Sequence, residues 1–139
     1  FYFKYLKLKS RKIIRKNQNI KIKFIKNTSL NQKREIFSKC DYFIGTSRVE
    51  CSPLVMFETL AAGKIYLGTD VGNCKEILKD VSPCYINNNI SNIALELKKM
   101  INKKLHENIF IKKKIYQHYK KNYDWKILLK KYKNLIAST

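Results

Sequence analysis

Two glutamates, Glu50 and Glu58, are the residues of this sequence whose surroundings best suit them for chemistry. Glu58 lies in the otherwise apolar stretch "SPLVMFETLAAGK", and Glu50 lies eight positions earlier, just before that stretch. An ionised carboxylate inside an apolar helix is costly unless a partner offsets the cost. Carboxylates accept hydrogen bonds and therefore suit the hydroxyl groups of sugars. The pattern predicts either a sugar-binding pair or, for Glu58, a structural pairing with a buried lysine or backbone donors.

The stretch around Glu58 is predicted to be a buried helix whose start can bind an anion. Ser52 is a favoured N-cap, Pro53 suits the first helical position, and Gly63 suits a left-handed residue after the last turn. Helical side chains lean toward the N-terminus, so Glu58 is expected to reach back toward the first turn. Free N–H groups and the helix dipole attract phosphate there. We therefore expect a diphosphate on the helix start, with Glu58 on a ribose and Glu50 on a second sugar.

The elements that position this helix are predicted to alternate between strands and helices. Short apolar runs predict strands at residues 42–46, 65–69 and 83–86, and alternation with period two predicts another at 20–25. The N-terminal "FYFKYL" is predicted as a further strand, followed by a helix or loop over residues 10–18. Strands separated by single helices imply a parallel sheet, and such sheets bind ligands at the carboxyl ends of their strands.

Helical patterns complete the predicted order of elements. Ser29 is expected to cap a helix, Gly72 and Asn73 to form a turn, and residues 74–78 a short helical turn. From Ser91 onward the apolar spacing is helical, with further helices over 109–121 and from Asp124. The predicted fold class is α/β: a Rossmann-like parallel sheet with helices on both faces and a helical C-terminal tail.

The net charge of +20 is unevenly distributed along the 139 residues. Residues 41–90 contain six acidic and four basic side chains, so the flanks carry the whole excess of positive charge. Lysine far outnumbers arginine, 26 to 4, beside 13 asparagines and 18 isoleucines, which fits A/T-rich codons. Proteins that read base edges rely on arginine, so no nucleic-acid partner is expected. The basic flanks are also compatible with peripheral contact with an acidic membrane.

Four cysteines are spaced too widely for a metal clip or a dense disulfide framework. We interpret Cys40, Cys51, Cys74 and Cys84 as reduced thiols, which predicts a cytoplasmic protein, peripheral on the inner face of the membrane if the basic flanks bind lipid. No run of residues approaches the length of a membrane span. The first residue is Phe rather than Met, so the sequence is read as part of a longer protein.

The segment "CDYFIGTSRVECSPLVMFETLAAGKIYLGTDVGNCKEIL", residues 40–78, resembles the signature region of retaining glycosyltransferases with the GT-B fold (the glycosyl transferases group 1 and glycogen-synthase-like superfamily). That family carries an acidic residue, a strand, a Ser-x-x-Glu loop, a second glutamate in a helix ending Ala-Gly, and an Asp-x-Gly-Gly-x-x-Glu turn. The matching positions here are Asp41, Ser47, Glu50, Glu58, Ala62, Gly63, Asp70, Gly72 and Glu76.

The resemblance implies a role for each matching residue. Glu50 would be the catalytic-site residue on the hydroxyls of the donor sugar, and Glu58 would bind the ribose of the nucleotide. The remaining donor-binding positions are the backbone amides around Ser52, Leu54 and Val55, the turn containing Thr69, Asp70 and Gly72, and residues 26–29. Arg48 is expected either to face the donor phosphates or to form a surface salt bridge. No metal or other cofactor is expected, and retention is attributed to attack on the face from which the diphosphate departs.

The sequence also departs from the family pattern. Cys51 replaces the glycine after the first glutamate, and Asn73 replaces the second glycine of the turn, a position where asparagine tolerates the left-handed conformation. The upstream arginine and lysine that neutralise the diphosphate have no counterpart in residues 1–16. Residues 1–139 are thus expected to be a nucleotide-sugar-binding domain without its first strand–helix unit and without the N-terminal acceptor domain. We expect weak donor binding and no transfer by this chain alone.

Three functions from different classes follow. The leading hypothesis is a hexosyl-type glycosyltransferase that moves a sugar from a nucleotide-diphosphate sugar to a saccharide or lipid-linked acceptor, in surface polysaccharide or glycolipid biosynthesis. The alternative is a charge-driven module that binds nucleic acid or an anionic membrane without catalysis and is indifferent to Glu58. The third is a catalytically silent domain of the same fold, used for interaction.

Overall fold

A computed structural model of the chain describes residues 2–137. Phe1, Ser138 and Thr139 lie outside the described residues, as do the parts of the predicted N-terminal strand and of the C-terminal tail that fall on them. The chain divides into two units, residues 1–33 and residues 34–139.

The first unit begins with a helix, so the strand predicted for its first residues is wrong. Helix α1 spans Tyr2–Lys16. Its least exposed side chains, Phe3, Leu6, Ser10 and Ile14, follow the helical spacing i, i+3, i+7, i+11. The prediction rested on the short aromatic stretch at the start, whereas the helical period of 3.6 over the longer segment determines the structure. The helix or loop predicted from Ser10 onward is the end of this same helix.

Residues 20–25 form no strand, which corrects the second prediction for this unit. The alternating pattern of this segment has no ladder partner among the described residues of the chain. Phe24 instead packs edge-on against Phe3 of α1, with ring centroids 5.3 Å apart. Ile20, Ile22 and Ile25 remain 37–44% exposed. Alternating apolar and polar residues give a strand one apolar and one polar face. A strand also needs a neighbouring strand to pair with its backbone N–H and C=O groups.

Helix α2 spans Leu30–Lys39, and Ser29 caps it as predicted. The Ser29 hydroxyl accepts a hydrogen bond from the Gln32 backbone N–H at 3.3 Å, and the Gln32 side chain accepts one from the Ser29 N–H at 2.9 Å. These reciprocal bonds form a capping box, which satisfies two N–H groups at the start of the helix.

A parallel three-stranded sheet in the order β1-β2-β3 forms the centre of the second unit. Strand β1 spans Tyr42–Gly45, β2 spans Ile65–Gly68, and β3 spans Tyr85–Ile86. The first two strands are confirmed to within one residue of their predicted ends. The third is two residues shorter than predicted, because Pro83 has no N–H and the Cys84 N–H closes a turn onto the Val81 carbonyl at 2.7 Å.

Helices connect these strands and then form the tail. Helix α3 (Leu54–Ala61) follows β1, and α4 (Cys74–Leu78) follows β2. After β3 come α5 (Ile90–Asn102), a 3₁₀ turn (Leu105–Glu107), α6 (Ile109–Asn122) and α7 (Trp125–Ala137). The predicted α/β class with a Rossmann-like parallel sheet and a helical C-terminal tail is confirmed.

The core of this unit is formed by β2 and the helices that pack against it. All four residues of β2 are buried, as expected for the central strand of a parallel sheet. Gly63 ends α3 with φ = 64°, the left-handed conformation predicted for it. The buried hydrophobic residues are Met56, Leu60, Ile65, Tyr66, Leu67, Cys74, Ile77, Leu78, Val81, Ile93, Met100 and Ile115. Across residues 2–137, no helix is both long enough and apolar enough to span a membrane.

Candidate functional site

Several predicted site residues lie in the loops that follow β1 and β2. The last residues of these strands, Gly45 and Gly68, are register partners. The buried ring of Tyr66 lies over both glycines, because a Cβ added at Gly45 would stand 2.4 Å from the Tyr66 hydroxyl and one at Gly68 would stand 2.7 Å from its ring. Larger residues at these two positions would displace the ring. The loops that follow the two strands therefore begin side by side at the same edge of the sheet.

The loop after β1 carries Glu50 and is hydrogen-bonded to the end of β2. The Ser47 hydroxyl donates to the Glu50 carboxylate at 2.9 Å. The Thr69 hydroxyl donates to the Ser47 backbone carbonyl at 2.5 Å, and the Thr69 N–H donates to the Gly45 carbonyl at 3.0 Å. These hydrogen bonds bring Ser47, Glu50 and Thr69 together, and the Thr69 hydroxyl donates to the protein backbone.

The turn after β2 packs directly on the backbone of the Glu50 loop. Gly72 has φ = 55°, and a Cβ at this position would stand 2.1 Å from the Cys51 carbonyl oxygen and 2.9 Å from that of Glu50. Only glycine fits there, because both the backbone conformation and the space exclude a side chain. Asn73 has φ = −94°, so it does not take the left-handed conformation considered for it.

The loop after β3 supports the turn from its other side, through a residue that the sequence analysis did not identify. The Asn88 side-chain oxygen accepts a hydrogen bond from the Asp70 N–H at 3.1 Å. The Asn87 N–H donates to the Gly68 carbonyl at 3.0 Å, which continues the ladder past β3. Three consecutive asparagines directly after a strand are a sequence signal for this, because asparagine side chains commonly hydrogen-bond to nearby backbone.

Helix α3 begins one residue later than predicted, and this changes the role of Ser52. Pro53 occupies the N-cap position in an extended conformation, and the cap makes no side-chain hydrogen bond. Ser52 lies one residue outside the N-cap, so the prediction that Ser52 is the N-cap is wrong. A proline in the cap leaves the first-turn N–H groups of Leu54 and Val55 without a side-chain acceptor from the cap. Leu54 is 75% exposed, so this start faces solvent.

Glu58 lies in the second turn of α3 and is half-buried. Met56, Thr59 and Leu60 form the buried face of this helix, which confirms a core-packed helix around the glutamate. Arg48 and Glu50 are exposed in the loop between β1 and α3. The site therefore combines an exposed carboxylate, a half-buried carboxylate and an open helix start. Carboxylates of this kind accept hydrogen bonds from hydroxyl groups, and the N–H groups at the helix start can donate hydrogen bonds to an anion.

Burial and the nearby carboxylates determine the electrostatics beneath the Glu50 loop. Burial is the largest cause that raises the pKa of the Tyr66 hydroxyl, and the Cys74 thiol and the Glu50 charge raise it further. Burial likewise raises the pKa of the Cys74 thiol, with smaller contributions from Asp70 and Glu50. Both groups therefore stay neutral at physiological pH and contribute no charge of their own below the site.

Two further expectations concern residues outside this cluster and metal binding. Residues 26–29 belong to the first unit and do not follow a strand, so they are not a strand end. Within the described part of the chain, no three His, Cys, Asp or Glu side chains come together in a way that could hold a metal ion. The groups of the site that can contact a ligand are its carboxylates and backbone amides.

Comparison with known proteins identifies one match. The family model described as Glycosyl transferases group 1 matches residues 4–117, which is more than half of the 139-residue chain. No curated protein and no solved structure matches significantly. The matched region contains all of the Glu50 and Glu58 cluster.

Proposed function

Because this chain belongs to the group 1 glycosyltransferases, we propose that its site binds a nucleotide-diphosphate sugar and donates the sugar to an acceptor. In this proposal the diphosphate lies on the start of α3, held by the N–H groups around Ser52, Leu54 and Val55. Glu58 binds the ribose, and Glu50 binds the hydroxyls of the donor sugar. The observation that carries the proposal is the open start of α3 directly after the Glu50 loop.

The proposal includes transfer with retention at the anomeric carbon, which the resemblance to retaining glycosyltransferases implies. The bond between the anomeric carbon and the diphosphate breaks, and its electron pair leaves with the diphosphate. An acceptor hydroxyl then attacks the anomeric carbon on the same face and passes its proton to the departing diphosphate, so that the configuration is retained. The N–H groups and dipole of α3 stabilise the negative charge that develops on the leaving diphosphate, which is the task that a divalent cation performs elsewhere.

Several finer points belong to the same proposal. The sugar is a hexose, and the acceptor is a saccharide or a lipid-linked saccharide bound by a second domain, as in the assembly of a surface polysaccharide or glycolipid. No metal cofactor is used. Arg48 faces the donor phosphates, and Asp70 and Gly72 line the donor pocket. The four free cysteines support a reducing, cytoplasmic location, and the excess of lysine outside residues 41–90 supports contact with the inner face of the membrane.

Donor binding is tested by calorimetric titration of the chain with UDP-, GDP- and ADP-sugars. We expect one nucleotide class to bind selectively, and Glu58→Gln to weaken its binding at least about tenfold, since a charge-assisted bond to a ribose hydroxyl is lost. Glu107→Gln is the matched control, because it removes an equally negative side chain that is exposed in the 3₁₀ turn. This control should bind the donor as the wild-type chain does.

Each alternative function gives a different result in the same titration. A charge-driven module would bind polyanions with a steep salt dependence, and the two glutamine variants, which change the net charge equally, would behave alike. A silent domain would fold normally and bind none of the nucleotides. Either result would overturn the proposal.

A further inference from the structure

We infer that Ser47 and Thr69 are positioning residues for Glu50, and that the Thr69 hydroxyl acts by holding the Glu50 loop rather than by contacting the donor. This inference rests on the proposed function, because it assigns Glu50 to the donor sugar. It concerns hydrogen bonds that join the loops after β1 and β2.

The first contact determines the orientation of the carboxylate. Glu50 is exposed in a loop, so its side chain would otherwise sample several rotamers. The Ser47 hydroxyl donates to one carboxylate oxygen at 2.9 Å. A hydroxyl has a single proton to donate, so this bond uses the donor capacity of Ser47. The second carboxylate oxygen of Glu50 remains for a sugar hydroxyl.

The second contact attaches the Glu50 loop to the sheet. The Thr69 hydroxyl donates to the Ser47 carbonyl at 2.5 Å, while the Thr69 backbone N–H donates to the Gly45 carbonyl at 3.0 Å. Thr69 is therefore fixed at the end of the β1–β2 ladder. Through its side chain it also fixes the backbone of Ser47, the residue that orients Glu50. The single hydroxyl proton of Thr69 is not free for a ligand.

One hydrogen bond and one close backbone contact hold the turn that contains Thr69 in place. Asn88 accepts the Asp70 N–H at 3.1 Å from the loop after β3. Gly72 lies so close to the carbonyl of Cys51 that a Cβ would reach within 2.1 Å of it. The turn that contains Thr69 is thus held between the loops on either side, so removing the Thr69 hydroxyl should loosen the Glu50 loop without unfolding the turn.

Hydrogen exchange tests the positioning without any ligand. In Thr69→Val the amides of residues 46–52 should exchange faster than in the wild-type chain, because the bond to the Ser47 carbonyl is lost. Thr69→Ser retains the hydroxyl and should restore slow exchange. Thr46→Val, the same substitution at an exposed neighbouring position, is the control and should leave exchange unchanged. Unchanged exchange in Thr69→Val, with Thr69→Ser also unchanged, would overturn the inference.

Binding then tests the consequence for Glu50. Calorimetry compares the nucleoside diphosphate alone with the nucleotide sugar that the wild-type chain prefers. Thr69→Val and Ser47→Ala should reduce the additional affinity from the sugar by about three- to tenfold and leave diphosphate affinity within about twofold. Thr69→Ser should bind as the wild-type chain does. Equal losses for both ligands would indicate a structural role and would overturn the inference.

A double-mutant cycle covers the case in which Thr69→Val does not fold. In the Glu50→Ala background, Ser47→Ala should have little further effect on sugar affinity, because the group that it positions has been removed. Additive losses would contradict the inference. Failure of the wild-type chain to bind any nucleotide sugar is a failure of the proposed function and is seen before any variant is compared. In that case the hydrogen-exchange rates of the amides of residues 46–52 are the measurement that tests whether Thr69 holds the Glu50 loop.

Discussion

Gly72 shows how closely single residues are constrained around Glu50. It has a left-handed backbone conformation, and it packs against the carbonyls of Glu50 and Cys51. The family has glycine at the position of Cys51. The backbone carbonyl of Cys51 points toward Gly72 and makes this contact. A residue that looks like an ordinary turn glycine therefore determines how the turn after β2 packs on the loop after β1.

Gly72→Ala should both destabilise the protein and disturb donor binding. A side chain at this position adds left-handed strain to a clash with the Cys51 carbonyl, and we expect a loss of about 1–3 kcal/mol in the free energy of unfolding. Urea unfolding measures this loss. Val49→Ala, at a side chain that is 87% exposed, is the control and should stay within about 0.5 kcal/mol of the wild-type chain. A Gly72→Ala protein with wild-type stability would show that the loops separate easily.

At the scale of elements, the junction of β2 and β3 contains an ionisable group that the core keeps neutral. Cys84 precedes β3, and its sulfur accepts the Tyr66 N–H of β2 at 3.4 Å. Burial raises the pKa of the Cys84 thiol from 9.0 to about 11. The thiol thus replaces a carbonyl acceptor where β3 is too short to supply one. Burial disfavours its charged form, and the Tyr66 N–H offsets only part of that cost.

Stability should therefore fall as the pH rises above 9. The folded-state pKa of Cys84 is higher than its unfolded value, so the stabilisation is complete below pH 9 and is lost as the pH rises toward 11. A difference of about two units corresponds to at most about 2–3 kcal/mol. Urea unfolding at pH 8 and pH 10.5 measures the loss. Cys84→Ser retains an acceptor that does not titrate, so its pH dependence should be flatter; equal slopes would contradict the assignment.

On the scale of the whole molecule, the buried hydrophobic core lies within the second unit. Its residues run from Met56 to Ile115. Among residues 2–33 only Ser10 is buried, and residues 17–29 form neither helix nor strand. The two units should therefore differ in their resistance to unfolding.

Limited trypsin digestion should reveal this difference. We expect the first cuts after Lys21, Lys23 or Lys26, because backbone without helix or sheet hydrogen bonds enters a protease more easily. The persistent product, identified by mass spectrometry, should retain β1 to α6. Early cleavage between β1 and α5, at Lys64 or Lys75, would mean that the sheet unit is the less stable part.

The candidate site was predictable from the sequence as far as its residue types and order are concerned. The motif around Glu50 and Glu58 needs only spacing, and the apolar runs of β1 and β2 are distinctive because a buried parallel strand has no polar face. The errors arose where the local pattern was ambiguous: residues 20–25 alternate but form no strand, and the aromatic stretch predicted as an N-terminal strand is helical from Tyr2 onward. Ser52 was misassigned because two residues in succession, Ser52 and Pro53, each suit a helix start.

The sequence by itself determined the family, the α/β order of the second unit and the residues available for chemistry, because these depend on residue type, period and spacing along the chain. Only the tertiary structure decided that Thr69 binds the Ser47 carbonyl, that Asn88 supports Asp70 and that Gly72 packs against Cys51. These contacts join residues about 20 positions apart in the sequence. Their partners follow from strand register and loop conformation, which no local pattern records.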